Sequence, residues 1–169
     1  MKKQILKVIG GVSLAVLMLA IFAQVWVLAE DKRSESLPNG NELSIVGSWD
    51  VRVTIRDCQS GAALANFPAM ITFNHGGTMQ ETANDAAPLL RLPGHGAWSQ
   101  HNGRIYTAAF RFFRFNADGT FAGKNIIRQV DTLAQSGNEY STTDTVEVLD
   151  ANDNLIVRAC ATSTATRFQ

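Results

Sequence analysis

The strict alternation of apolar and polar residues is the feature that most constrains the fold of this chain. From Trp49 to Arg56 the odd positions are apolar and the even positions are polar. A period of two residues is typical of a β-strand with one buried face. The same period recurs to the end of the chain, interrupted by turn sequences such as Asn102-Gly103. No helical period follows residue 45, so the pattern predicts an all-β domain.

The alternating segments number eight, and their spacing predicts how they are connected. Most of the links between them are short, which favours an antiparallel meander. Eight strands is the number at which such a meander closes around side chains or one small ligand. We therefore predict an eight-stranded antiparallel up-and-down β-barrel over residues 45–169, with an open sandwich as the alternative. The predicted strands are 49–56, 67–73, 78–83, 97–100, 104–115, 120–133, 139–149 and 155–166.

The first 29 residues predict export from the cytoplasm. Three lysines lie within the first seven residues, and residues 8–29 carry no charge. A basic start followed by an apolar run is typical of a signal peptide, here with cleavage after Ala29, or of an uncleaved N-terminal anchor. The domain is then secreted or periplasmic, or anchored in the membrane by residues 8–29 with the domain outside the cytoplasm. Residues 30–44 are polar and predict a flexible leader.

Charge and cysteine content narrow the possible partners. Residues 30–169 contain 12 basic and 15 acidic residues and no basic stripe, which argues against nucleic acid as a partner. Contact with the membrane is expected only through an uncleaved N-terminal segment. Cys58 and Cys160 are the two cysteines, and in an oxidising compartment they are expected to form a disulfide. If the first and last strands pair with these cysteines directly opposed, Val51 faces Arg167 and Ile55 faces Ser163.

Two short signatures resemble the lipocalins and the wider calycin group of barrels. Gly47-Ser48-Trp49 opens the first strand, and Arg167 lies at the end of the last. In that group a Gly-x-Trp motif packs under an arginine from the end of the chain and closes one mouth of the barrel. The resemblance implies that Trp49 and Arg167 form such a closure, with a cation–π contact. Thr143-Asp144-Thr145 matches the group's Thr-Asp-Tyr signature poorly.

The interior lining can be predicted from the charged residues that must point to water. Inward positions then combine aromatic residues with a few polar groups that could orient a ligand. We predict a ligand-binding set of Tyr106, Phe110, Phe112, Arg114, Asn125, Gln129 and Asp144, and we also expect Phe121 to point inward. The alternative is that these polar groups only satisfy one another in a filled barrel.

The longer loops are expected at one end of the barrel, which would be its open mouth. They are 58–66, 84–96, 116–119 and 150–153. The loop 84–96 is apolar and would form a lid or rim, and the predicted mouth residues are Leu90, Leu92, His95 and Trp98. Ile105, Phe113 and Phe115 fall on the outer face of strand 104–115, which suggests a contact between subunits of a homo-oligomer.

No sequence motif indicates a metal, a cofactor or a catalytic group. The histidines have no metal-binding spacing, and there is no phosphate or dinucleotide motif. The first functional hypothesis is a binding module for a small apolar or amphipathic molecule. The second is a cofactor-independent barrel cyclase or isomerase, of the kind exemplified by allene oxide cyclases and dirigent proteins. The third is a structural barrel with a filled interior.

Overall fold

The computed structural model describes residues 44–87 and 89–168. The predicted signal or anchor, residues 1–29, and nearly all of the predicted leader lie outside these residues. The described part consists of eight strands, β1 to β8 in chain order. They are β1 (Gly47–Arg56), β2 (Ala63–Phe73), β3 (Thr78–Ala83), β4 (Gly94–Asn102), β5 (Ile105–Phe115), β6 (Phe121–Leu133), β7 (Glu139–Leu149) and β8 (Leu155–Arg167).

The eight strands close into a barrel in which each strand pairs with its neighbours in sequence and β1 pairs with β8. All of these pairings are antiparallel. The predicted all-β, eight-stranded up-and-down barrel is confirmed, and the sandwich alternative is wrong. Closure leaves neither β1 nor β8 as a free sheet edge.

The seam between β1 and β8 contains the predicted disulfide but has a different register. Cys58 and Cys160 are bonded, with their Cα atoms 5.2 Å apart. Their direct opposition was wrong, because Arg56 pairs with Cys160 and Trp49 with Arg167. The strand ends at Arg56, and Asp57 begins a turn in which its carboxylate accepts a hydrogen bond from the Ser60 amide at 2.7 Å. Cys58 therefore reaches Cys160 from the turn rather than from the strand.

A shift of two residues keeps every side chain on its predicted face, and it places Arg167 directly opposite Trp49. The guanidinium lies over the indole ring, 4.2 Å from its centroid. Arg167 also donates hydrogen bonds to the carbonyl oxygens of Val46, Ser44 and Gly137, each at 2.8 Å. Gly47 has a φ of 129°, and a Cβ there would lie 2.7 Å from the Arg167 guanidinium. The closure contact therefore requires glycine at this position.

Buried side chains pack around the contact between Trp49 and Arg167 at the end of the barrel where β1 begins. The Trp49 ring meets the edge of Tyr140 at 4.8 Å, and its indole N–H donates to the Ile45 carbonyl at 2.8 Å. Phe73 and Leu133 complete this fully buried layer. The barrel interior is thus filled by side chains at this end, and space inside the barrel lies nearer the other end.

Several strand boundaries differ from the prediction, and one difference turns a side chain outward. β2 begins at Ala63 and β4 at Gly94, so the loops before them are shorter than expected. The β5–β6 register shifts between Arg114 and Phe115. Because of this irregularity Phe121 is 44% exposed rather than inward, and its ring packs edge-on against Phe113 at 5.8 Å.

The disulfide indicates that the domain resides in an oxidising environment outside the cytoplasm. Within residues 44–87 and 89–168, no helix has the length and apolar character needed to cross a membrane.

Candidate functional site

A cavity of about 80 Å³ lies inside the barrel, between the filled end and the long loops. That volume corresponds to roughly two or three water molecules, at about 30 Å³ each. Most of its wall is aliphatic, with three aromatic rings, one from β2 and two from β5. These apolar lining residues are Val53, Ile55, Phe67, Ala69, Ile71, Phe110, Phe112, Ile127, Val146 and Ala161.

One side of the cavity is polar, and Asp144 of β7 is its principal charge. Asp144 is 7% exposed and pairs across the ladder with Gln129 of β6. The Ser163 hydroxyl of β8 donates to Asp144 Oδ2 at 3.3 Å. Burial raises the pKa of Asp144 to about 6, although Thr142, Ser163 and Gln129 oppose that rise. The carboxyl therefore changes charge near neutral pH.

A second acid, Asp131 of β6, lies one layer nearer the filled end and is fully buried. It pairs with Thr142, so it is a diagonal neighbour of Asp144, and such pairs lie about 7–8 Å apart. Neither carboxylate oxygen of Asp131 has a hydrogen-bond partner among the described residues. Burial and, to a lesser extent, Asp144 raise the pKa of Asp131 to about 7.

The end of the cavity nearest the long loops is lined by Asp85 and Arg91, which belong to a segment that we call the strap (residues 84–87 and 89–93). Arg91 of the strap is 8% exposed, and its guanidinium lies 3.6 Å from the centroid of the Phe112 ring. It forms ion pairs with Glu81 of β3 at 2.5 Å and with Asp85 at 2.6 Å. Burial raises the pKa of Glu81 to about 7, against the opposing effect of the Arg91 charge. Arg91 thus plugs this end of the barrel.

Backbone hydrogen bonds fasten the strap to the end of β5. The Leu92 amide donates to the Phe113 carbonyl at 3.1 Å, and the Phe115 amide donates to the Leu90 carbonyl at 2.9 Å. Arg91 forms an isolated antiparallel bridge with Arg114. A third main-chain hydrogen bond runs from the Asn84 amide to the Pro68 carbonyl of β2 at 3.0 Å. Three main-chain hydrogen bonds and the buried Arg91 side chain are few enough to break locally while the barrel stays closed.

Five of the seven residues predicted to bind a ligand line this cavity. They are Phe110, Phe112, Asn125, Gln129 and Asp144. Tyr106 lies in the filled layer, where its ring packs against Trp98 at 5.8 Å. Arg114 lies at the rim, where its guanidinium donates to the Leu149 carbonyl at 2.9 Å.

The predicted mouth residues divide between the strap and β4. Leu90 and Leu92 belong to the strap. His95 and Trp98 instead belong to β4, which starts at Gly94, so the prediction that they lie in the mouth loop was wrong. His95 is exposed, and the Trp98 indole donates to the carbonyls of Asn74 and Thr78 at the opposite end of the barrel.

Three buried charged residues were missed by the sequence reasoning. Asp131 follows Gln129 by two positions, so the alternation would have placed it inside. Glu81 lies on the inward face of β3 with Met79, and the same signal would have found it. Arg91 has no such signal, because its burial depends on how the strap folds back over the barrel.

The apolar residues that were predicted on the outer face of β5 form a patch that is partly exposed, with Ile105 at 39% and Phe113 at 43%. Phe121 adds to this patch from β6. A homo-oligomer contact here remains a prediction.

Within the described residues, no group of three or more His, Cys, Asp or Glu side chains could hold a metal ion. Comparison with known proteins finds no family model and no curated protein that matches this chain.

Proposed function

We propose that this chain is a secreted or periplasmic, lipocalin-like barrel that binds a small amphipathic molecule in its interior. The observation that carries the proposal is the cavity beneath the strap, in which a largely aliphatic wall faces a few buried polar groups. Small-molecule sites are commonly built from apolar walls with sparse polar anchors. A barrel that served only as a structural unit would not need unpartnered acceptors such as Gln129 Oε1 beside a void.

The size of the cavity limits the ligand or requires the strap to move. Sites for drug-sized molecules measure roughly 300–1,000 Å³, several times the cavity volume of about 80 Å³ found here. With the strap in place, the occupant has only a few heavy atoms. A larger occupant would displace Arg91 and the strap while β1 to β8 remain paired. The strap is therefore the proposed entrance.

Native mass spectrometry of the full chain purified from its own host tests this proposal. A bound small molecule is expected as a mass beyond that of the polypeptide, and it should disappear on denaturation. The matched variants are Ala161→Phe, which fills the cavity, and Ala109→Phe, which places the same ring on an exposed outward position of β5. Loss of the extra mass in the first variant alone supports the proposal. A chain that carries no small molecule and binds none from a mixed library contradicts it and favours the structural barrel.

One observation favours a second function, a cofactor-independent cyclase or isomerase. The carboxyl of Asp144 has a pKa of about 6 and faces the cavity. An acid that changes charge near neutral pH suits general acid–base chemistry. The test compares small molecules extracted from the native chain and from Asp144→Asn. Isomers of equal mass but different chromatographic retention indicate turnover, and identical compounds indicate binding alone.

A further inference from the structure

Three of the oxygen atoms that line the cavity have no hydrogen-bond partner among the described residues. Asn125 Oδ1, Gln129 Oε1 and Asp144 Oδ1 are buried, and none has a partner among the described residues. An amide oxygen and an ionised carboxylate oxygen can only accept a hydrogen bond. Leaving such acceptors unpaired in the interior costs free energy, so an occupant with donors would be favoured.

The charges around the cavity are also unbalanced. Three carboxyl groups line it, from Glu81, Asp85 and Asp144, against the single guanidinium of Arg91 among the described residues. That guanidinium already contacts Glu81, Asp85 and the Phe112 ring. The wall of β7 lies four strands away from β3 in a closed eight-stranded barrel, which places Asp144 on the opposite side from Glu81. Asp144 therefore has no cationic partner of its own.

We infer that the preferred occupant carries a protonated amine, which donates hydrogen bonds to Asp144 and Gln129 while its short apolar part packs against Ile127 and Val146. This inference rests on the proposed function and specifies its ligand class. Asp144 and Gln129 are direct cross-strand partners, so one ammonium group can reach both. An anionic ligand would be repelled by the Asp144 carboxylate and by the unpaired oxygen acceptors. A purely apolar ligand would leave those acceptors without hydrogen bonds.

The titration of Asp144 supplies an independent readout of this contact. The groups that face it are Gln129 and Asp131 from β6, Tyr140 and Thr142 from β7, and Ser163 from β8, with Glu81, Asp85 and Arg91 across the cavity. An ammonium ion beside the carboxyl stabilises its ionised form. The amine should therefore lower the pKa of Asp144, and the amine should bind more weakly as the pH falls through about 6.

The experiment uses n-propylammonium, 1-propanol and propionate as probes of equal chain length. Each is titrated to millimolar concentration into the full chain, and binding is followed by NMR. The variants are Asp144→Asn and Asp50→Asn, the second being the same substitution on an exposed position of β1. At pH 7.5 we expect n-propylammonium to bind about tenfold more tightly than 1-propanol, and propionate to bind least. If the amine also binds ionised Asp144 about tenfold more tightly than protonated Asp144, saturation with the amine lowers the pKa of Asp144 by about one unit.

The outcomes separate this inference from the proposed function. Loss of the amine preference in Asp144→Asn, with its retention in Asp50→Asn, supports the inference. If both n-propylammonium and 1-propanol bind the cavity with equal affinity, the inference fails and the binding function stands. If no probe binds, the inference fails, and the search for a co-purifying ligand decides the function separately. The pKa of Asp144 in the native chain provides a reading that does not depend on the folding of any variant: an unchanged value at saturating amine overturns the inference.

Discussion

Replacing Asp131 with asparagine should stabilise the barrel above neutral pH and leave its stability almost unchanged in acid. The carboxyl is fully buried and neither oxygen has a partner among the described residues. On folding, its pKa rises from the ordinary value of 3.8 to about 7. The folded state therefore holds the proton more tightly than the unfolded state does. The contribution of this group to stability is consequently favourable in acid and is lost as the pH rises from about 4 to about 7.

The magnitude follows from the size of that shift. At 1.36 kcal/mol per pKa unit, ionisation of Asp131 costs the folded state about 4 kcal/mol at pH 8. Asparagine has a similar shape and no charge, so Asp131→Asn should recover up to that amount at pH 8. At pH 4 the native side chain is mostly protonated when folded, and the difference should be close to zero.

Urea unfolding followed by tryptophan fluorescence measures this effect. A slope of about 2 kcal/mol per molar urea converts the gain into a midpoint about 2 M higher at pH 8. Asp50→Asn, on the exposed face of β1, is the matched control and should shift neither midpoint. If Asp131→Asn destabilises the chain equally at pH 4 and pH 8, the carboxyl has a partner that this reasoning lacks, and the argument is refuted.

Three further perturbations test the seam and the strap. Replacing both Cys58 and Cys160 with serine should lower the free energy of unfolding by about 4–5 kcal/mol in the chain-entropy estimate for a sequence separation of 102 residues, measured by urea unfolding; a loss under 1 kcal/mol would contradict it. Gly47→Ala should cost about 1–3 kcal/mol by calorimetry, because alanine is strained at a φ of 129° and displaces the arginine at the closure. Arg91→Met should cost about 3–5 kcal/mol at pH 8, because it leaves Glu81 buried without its cation, and less at pH 5, where Glu81 is protonated. Combining Arg91→Met with Glu81→Gln should restore most of the stability that Arg91→Met alone removes. If the effects of the two substitutions on the free energy of unfolding simply add, the pairing is refuted.

The course of the strands could be read from the sequence because alternation is a local signal. The local signal misleads where one residue type can serve two structural purposes. Gly94 and Gly96 resembled a loop, yet both lie in β4, where a Cβ at Gly94 would lie 2.8 Å from the Glu81 carboxylate. These glycines permit close approach rather than a turn. The pairing of Cys58 with Cys160 was predictable, whereas the register was not, because the disulfide leaves from a turn.

The candidate site was predictable only where it lies on regular strands. Asn125, Gln129 and Asp144 follow from the faces of β6 and β7, and they line the cavity. The plug formed by Arg91 depends on the path of the strap and on an ion pair with Glu81 of β3, neither of which a local pattern encodes. The volume of the cavity is likewise a property of packing among distant strands, which no local pattern encodes.

We propose that a small molecule binds in the interior of this barrel rather than on its outer surface. Isotope-edited NMR of the full chain with n-propylammonium measures this directly through nuclear Overhauser contacts between probe and methyl groups. Contacts to the methyl groups of Ile127, Val146 and Ala161, which line the cavity, are the predicted result. Contacts confined to exposed residues such as Ile156 and Val157 would contradict it.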